Sequence, residues 1–179
     1  MSDGTMNILF AGYGGQGILF AGKVVAYAGL IDGKEVSWLP SYGPEMRGGT
    51  ASCTVCLSDA PIASPYIERP DYLVALNQLS FNKYVPLVES NGLVLYDSAI
   101  INGETDREDL RIFGIDALTV AEGNGLKGLA NMVMTGKLFK ELPFSAYASL
   151  EEAVRKCVSG SRTELIDMNI KAIQMGIDA

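Results

Sequence analysis

MNILFAGYGGQGILFAGKVVAYAGL, residues 6–30, is the stretch from which the fold can be read. Its opening run, 6–12, is short and apolar and stops at a glycine, as a buried strand does. After the glycines, Ile18, Leu19, Val24, Val25 and Ala28 recur at about helical spacing, which predicts a helix over 15–30. Strand, glycine turn and helix in that order begin a βαβ unit. Gly12, Gly14 and Gly17 hold the spacing of a dinucleotide-binding turn. Glycines let the backbone turn tightly and approach a ligand, and the helix start beyond them offers N–H groups and a partial positive charge. Gln16, a polar amide between Gly15 and Gly17, is placed to bond a neighbour.

Working outward, Asp32 and Gly33 close the helix with a turn, and 34–39 reads as a second strand. Further strands are predicted at 50–58, 71–77, 92–98 and 111–116. Helices are predicted at 78–90, with Pro86 near the end or at a kink, and at 126–142, 149–158 and 162–176. Ser149 is the expected N-cap of the 149–158 helix, with Glu151 and Glu152 in its first turn. The alternation predicts an α/β fold, a three-layer α/β/α sandwich. Residues 40–70 contain no clear helix, so the sheet is expected to be mixed and mostly parallel, with a Rossmann-like glycine turn after strand one. One domain over 6–179 is expected, after a short disordered lead-in at 1–5.

Composition excludes several classes. The net charge is −7, which disfavours a phosphate backbone and so nucleic acid. No run approaches the roughly eighteen apolar residues of a membrane span, and the first residues lack the regions of a signal peptide. A cytoplasmic location is expected. There is no histidine, which removes the commonest general base and metal ligand together. Cys53 and Cys56 form a CxxC, but inside a strand residues three apart face opposite ways, so both read as structural. Cys157 reads as helix core. A stand-alone nucleotide- or flavin-dependent oxidoreductase needs an acid at the end of strand two, and that end reads Ser37-Trp38-Leu39-Pro40.

The other unusual stretch is LPSYGPEMRGGT, 39–50. Pro40 and Pro44 fix φ, Gly43 precedes a proline, and Gly48 and Gly49 permit tight turns. Arg47 offers a planar fork of donors suited to phosphate or carboxylate. Glu45 can pair with it or accept from a neighbouring chain. In a doubly wound sheet this loop and the glycine turn follow the carboxyl ends of their strands and share one crevice. Asn77 and Gln78 either reach that crevice or cap the helix they open, and Asp97 reads as a turn or cap residue. Trp38 reads as core or interface, and Met132 and Met134 as packing residues.

AGYGGQGILFAGKVVAYAG followed by VSWLPSYGPEMRGGTASCTV resembles the gamma subunit of the 2-oxoacid:ferredoxin oxidoreductases. The similarity continues through PDYLVALNQ, LVLYDS and NMVMTG and covers roughly 6–140. The resemblance implies a non-catalytic subunit of an enzyme that oxidatively decarboxylates a 2-oxoacid with CoA and reduces ferredoxin. It implies alpha and beta partners and a ferredoxin-like delta subunit, which carry thiamine diphosphate, Mg²⁺ and iron–sulfur clusters. No cofactor or metal is then expected on this chain alone. Isolated, the chain is either a monomer or a homodimer, the latter covering apolar partner surface that would otherwise face water. The SYGPEMRGGTA form is similar to the 2-oxoglutarate and branched-chain types, with 2-oxoglutarate preferred over branched-chain and pyruvate. The implied CoA or partner-subunit face comprises Gly12, Gly14, Gly15, Gln16, Gly17, Tyr42, Gly43, Pro44, Glu45, Arg47, Gly48, Gly49 and Asn77. A pure scaffold is the competing role.

Overall fold

β1 (Met6–Gly12) lies inside a six-stranded sheet, between β3 (Ala51–Ser58) and β4 (Tyr72–Ala75). The computed structural model describes residues 4–41, 51–158 and 163–179. β2 (Glu35–Ser41), β5 (Leu93–Asp97) and β6 (Arg111–Ile115) complete the order β2-β3-β1-β4-β5-β6. β3 runs antiparallel to both β1 and β2, whereas β1, β4, β5 and β6 are parallel. The sheet is therefore mixed and mostly parallel, as the helix-free segment 40–70 predicts.

Both faces of the centre are covered, which is why β1 is a continuous apolar run rather than an alternating one. Ile8 and Phe10 face one core with Val55, Val74 and Leu95, and Leu9 and Ala11 face another with Leu73, Ala75 and Phe81. The first core is roofed by α1 (Ile18–Ile31), α3 (Ala117–Gly123), α4 (Ala130–Glu141), α5 (Tyr147–Cys157) and α6 (Thr163–Asp178). The second is roofed by α2 (Gln78–Tyr84) and a 3-10 turn, Val85–Leu87. The three layers are thus unequal. Arg107 fastens the thin one: its guanidinium donates to the carbonyls of Val85, Pro86 and Val88 at 3.3, 3.2 and 3.0 Å. Asp109 accepts both its other bonds, at 2.6 and 2.8 Å, and that contact holds the Asp109 carboxyl well below the usual carboxylate range.

Several boundaries differ from the sequence expectation, each for a physical reason. α1 starts at Ile18, not 15, because Gly15 and Gly17 adopt φ of +94° and +74° and so lie outside the helix. α2 ends at Tyr84 rather than 90, since Pro86 has no N–H to continue it. α4 starts at Ala130 rather than 126, after Gly128 at φ +83°. α3 is an additional helix whose N-cap, Asp116, accepts from Thr119 N–H at 3.1 Å. Ser149 is not an N-cap. α5 begins at Tyr147, and its exposed donors are met from across the fold by Asp32, which accepts from Ala146 N–H at 2.7 Å and from the Ser149 hydroxyl. Glu151 and Glu152 consequently fall beyond the first turn. Of the lead-in, 1–3 lie outside the described residues, and the Thr5 hydroxyl reaches Ser58 Oγ at 3.0 Å.

α4 and α6 meet backbone to backbone. Gly136 faces the Ile173 carbonyl, and Gly176 faces the Val133 carbonyl, each so closely that a Cβ would overlap the oxygen. This pair of glycines locks the last helix onto the core.

Candidate functional site

The parallel strands end on one edge of the sheet, and the glycine turn lies there. β1 leads through Tyr13–Gly17 into α1. Gln16 fastens the turn: its Oε1 accepts from Tyr13 N–H at 2.6 Å, and its Nε2 donates to the Leu76 carbonyl at 2.6 Å, just past β4. Gly12 leaves room for this, since a Cβ there would stand 2.7 Å from Gln16 Oε1 and 2.6 Å from Ile18 Cδ1. The expected neighbour of Gln16 is therefore the end of β4. Gln16→Ala strands the Tyr13 donor and the Leu76 acceptor. Losing such bonds costs about 1–3 kcal/mol, so urea denaturation should show a lower midpoint with an unchanged m-value.

Asn77 stands beside it. Its Oδ1 accepts from Ser80 N–H at 2.7 Å, capping α2, and its Nδ2 lies 3.4 Å from Gln16 Oε1. Capping and proximity to the turn are both realised in one side chain. Gln78 instead bonds Asn82 and the Asn102 N–H on the surface.

At the start of α1, Gly17 is the N-cap, with no side-chain cap and no acidic residue in the first turn. The first N–H groups of a helix have no intrahelical acceptor, so this end presents donors and partial positive charge. The residues at this helix start, Gly17 to Phe20, line a cavity of about 320 Å³ together with Tyr13, Gly14, Gly15 and Ala51. Ala51 pairs with Gly12, and Ser41 with Ser52, so both flanks of segment 42–50 emerge beside the turn. Tyr42, Gly43, Pro44, Glu45, Arg47, Gly48 and Gly49 themselves lie outside the described residues.

A second cavity, about 400 Å³, lies behind the turn between α1, α4, α5 and α6, with Gly17, Phe20, Asn131 and Asn169 in its wall. Asn131 was not among the expected site residues. Its Nδ2 donates to the Gly17 carbonyl at 3.1 Å. The motif NMVMTG is conspicuous in the sequence, but nothing local reveals that its asparagine reaches the first glycine turn.

The remaining candidates are structural. Asp97 is buried at the end of β5 and accepts from the N–H groups of Ala99 and Leu118 at 3.1 and 3.5 Å, a turn and cap role. Burial pushes its carboxyl up from the ordinary value, against the lowering pull of those backbone bonds. Cys53 lies in the α1-side core, where burial pushes its thiol up to about 12. Cys56 lies on the other face of β3, also raised by burial. Cys157 is partly buried, at about 11 for the same reason. Met132 and Met134 are fully buried, and Trp38 is partly exposed beside Gly22. Among the described residues no group of three or more Cys, Asp or Glu is placed to hold a metal ion.

Residues 7–179 match the family described as pyruvate ferredoxin/flavodoxin oxidoreductase. Ketoisovalerate oxidoreductase subunit VorA of Methanothermobacter marburgensis is 38% identical over 174 residues, which is 97% of this chain and 36% of that relative. The chain thus spans about a third of the length of the ketoisovalerate relatives it matches. The 2-oxoglutarate synthase subunit KorC of Archaeoglobus fulgidus is 35% identical over 173 residues, 97% of this chain and 87% of its own. The crystal structure of the keto/oxoacid ferredoxin oxidoreductase gamma subunit from Geobacter sulfurreducens PCA superposes with a TM-score of 0.84 at 29% identity, covering 97% of this chain and 96% of that one.

Proposed function

Because the chain belongs to the pyruvate ferredoxin/flavodoxin oxidoreductase family and has the fold of a gamma subunit from it, we propose that it is the gamma-type component of a CoA-dependent 2-oxoacid:ferredoxin oxidoreductase. It is inactive alone and works against alpha, beta and ferredoxin-like delta subunits. Thiamine diphosphate with Mg²⁺ supplies the decarboxylation from those partners, and their iron–sulfur clusters pass electrons to ferredoxin. The role of this chain is to position CoA. The observation that carries the reading is the uncapped start of α1, reached through left-handed glycines and lining a cavity that also includes Ala51, the residue after segment 42–50. Backbone donors at Gly14–Gly17 and the Arg47 fork suit the phosphates of CoA. Exposed Leu30, Leu39, Tyr66 and Leu87 suit cover by partner subunits, or by a second copy when the chain is alone.

The substrate we propose is 2-oxoglutarate. The slightly higher identity to the ketoisovalerate subunit, 38% against 35%, favours a branched-chain 2-oxoacid as the second reading. Tagged chain recovered anaerobically from its host should bring larger subunits, thiamine diphosphate and iron, and reduce viologen with CoA fastest on 2-oxoglutarate. Fastest turnover on 2-oxoisovalerate or pyruvate replaces the substrate. An eluate of this chain alone, without activity, removes the assignment.

In the assembled enzyme, Arg47→Ala should raise the KM for CoA about tenfold, the lower end of losing a charge-assisted hydrogen bond of about 1.5–3 kcal/mol. Stability should change by less than about 0.5 kcal/mol. An unchanged KM with lost assembly identifies a scaffold.

A further inference from the structure

NMVMTG, 131–136, divides cleanly by role except for its first residue. Met132 and Met134 fill the core, the Thr135 hydroxyl donates to the Asn131 carbonyl at 2.8 Å, and Gly136 admits the Ile173 carbonyl. Asn131 is only 4% exposed, yet its Oδ1 has no partner. Its one side-chain bond runs 114 residues back to the Gly17 carbonyl, which already accepts from Ala21 N–H at 3.0 Å. A buried carboxamide whose oxygen is unpaired is worse for stability than an apolar side chain of the same shape. Stability therefore does not explain it.

Direction does. The Gly17 carbonyl and the Ile18 N–H belong to one planar peptide unit and point opposite ways. Holding the carbonyl toward α4 turns the N–H away from α4. The asparagine head also occupies the place a Gly17 Cβ would need. We infer that Asn131 is the positioning residue of the glycine turn, fixing the Gly17–Ile18 peptide plane so that the first donors of α1 face the cavity beside Tyr13–Gly15. Its effect on binding rests on the reading of that cavity as the CoA-facing one.

Asn169 is the matched control. It too is 4% exposed with an unpartnered Oδ1, but its Nδ2 donates to the Leu165 carbonyl within its own helix at 2.7 Å. Asn131→Leu removes the donor at similar volume. Asn131→Ala also lacks it, and serves if the leucine variant does not fold. In the full chain, amide hydrogen exchange at Ala21, whose N–H shares the Gly17 carbonyl, should quicken about tenfold in either Asn131 variant and stay unchanged in Asn169→Leu. In the assembled enzyme the Asn131 variants should raise the KM for CoA about tenfold and leave kcat within twofold. Gly15→Ala, which adds a methyl directly to the cavity, reports on the cavity itself. Wild-type exchange at Ala21 in both Asn131 variants, or the same change in Asn169→Leu, overturns the inference. A KM that moves in Gly15→Ala and not in the Asn131 variants overturns its role in binding. Faster exchange with no KM change in any variant, Gly15→Ala included, keeps Asn131 as the holder of the turn and overturns the CoA reading instead.

Discussion

Gly176→Ala and Gly136→Ala should each lower the melting temperature by about 6–12 °C, the loss of about 3 kcal/mol in a domain of this size. Two effects oppose each other at these positions. Alanine is the better helix former by about 1 kcal/mol. Against that, the new Cβ would overlap a backbone carbonyl, that of Val133 for Gly176 and that of Ile173 for Gly136. A backbone oxygen has no rotamer to retreat into, so α4 and α6 must separate along their contact. Overpacking of this kind costs about 1–3 kcal/mol, occasionally more, and here it also loosens the burial of Val133, Leu138 and Ile173. The double variant should cost clearly less than the sum, because one separation accommodates both methyls. Gly29→Ala is the instructive comparison. Its Cβ would stand 2.6 Å from Leu57 Cδ2, the movable end of a side chain, so its loss should be smaller. Thermal unfolding of the four proteins checks the order, and a stabilised Gly176→Ala would mean the helices do not meet this closely.

The second large effect belongs to Gly17. Gly17→Ala should cost about 3 kcal/mol, whereas Gly15→Ala should cost about 1–2 kcal/mol. Both glycines have positive φ, +74° and +94°, and forcing alanine there costs about 1–2 kcal/mol. Gly15 has nothing within 4 Å of the new methyl, so the backbone term is all it loses. Gly17 has the Asn131 carboxamide in that space and must also give up the bond that carboxamide makes, worth about 1 kcal/mol or more. A double-mutant cycle separates the two contributions. With Asn131→Ala the obstacle is gone, and the penalty at Gly17 should fall by about 1 kcal/mol. Equal losses at Gly15 and Gly17, with no coupling to position 131, would contradict the packing described.

What the chain announces locally, the fold follows. The run 6–12, the glycines and the spaced apolar residues of α1 declared a strand–turn–helix, and the absence of a helix over 40–70 declared a mixed sheet without saying that β3 is its antiparallel strand. Pro86 is expected near the end of the 78–90 helix or at a kink in it, and the α-helix in fact stops before it, at Tyr84. What depended on distant partners was hidden. α5 starts before Ser149 because its capping group is Asp32, at the far end of α1. α3 spans seven residues, ALTVAEG, too few for a helical period to show. Gln16 advertised a bond without saying that β4 would receive it. Asn131 had no signal beyond the oddity of its motif, since its partner lies 114 residues earlier. Of the face expected at the turn, Gly12, Gly14–Gly17 and Asn77 gather on one edge, and the seven residues of the 42–50 loop fall outside the described residues.

The placement of β1 has a consequence for biosynthesis. It precedes both of its sheet neighbours, β3 and β4, in the chain. About 60 residues must follow it before both exist, which at about 5–20 residues per second takes roughly 3–12 s on the ribosome. Until β4 is made, MNILFAG lacks at least one of its two sheet neighbours. The nascent chain therefore carries a strand of its future centre with an open edge over this interval, and that tract is where ribosome-associated chaperones would act.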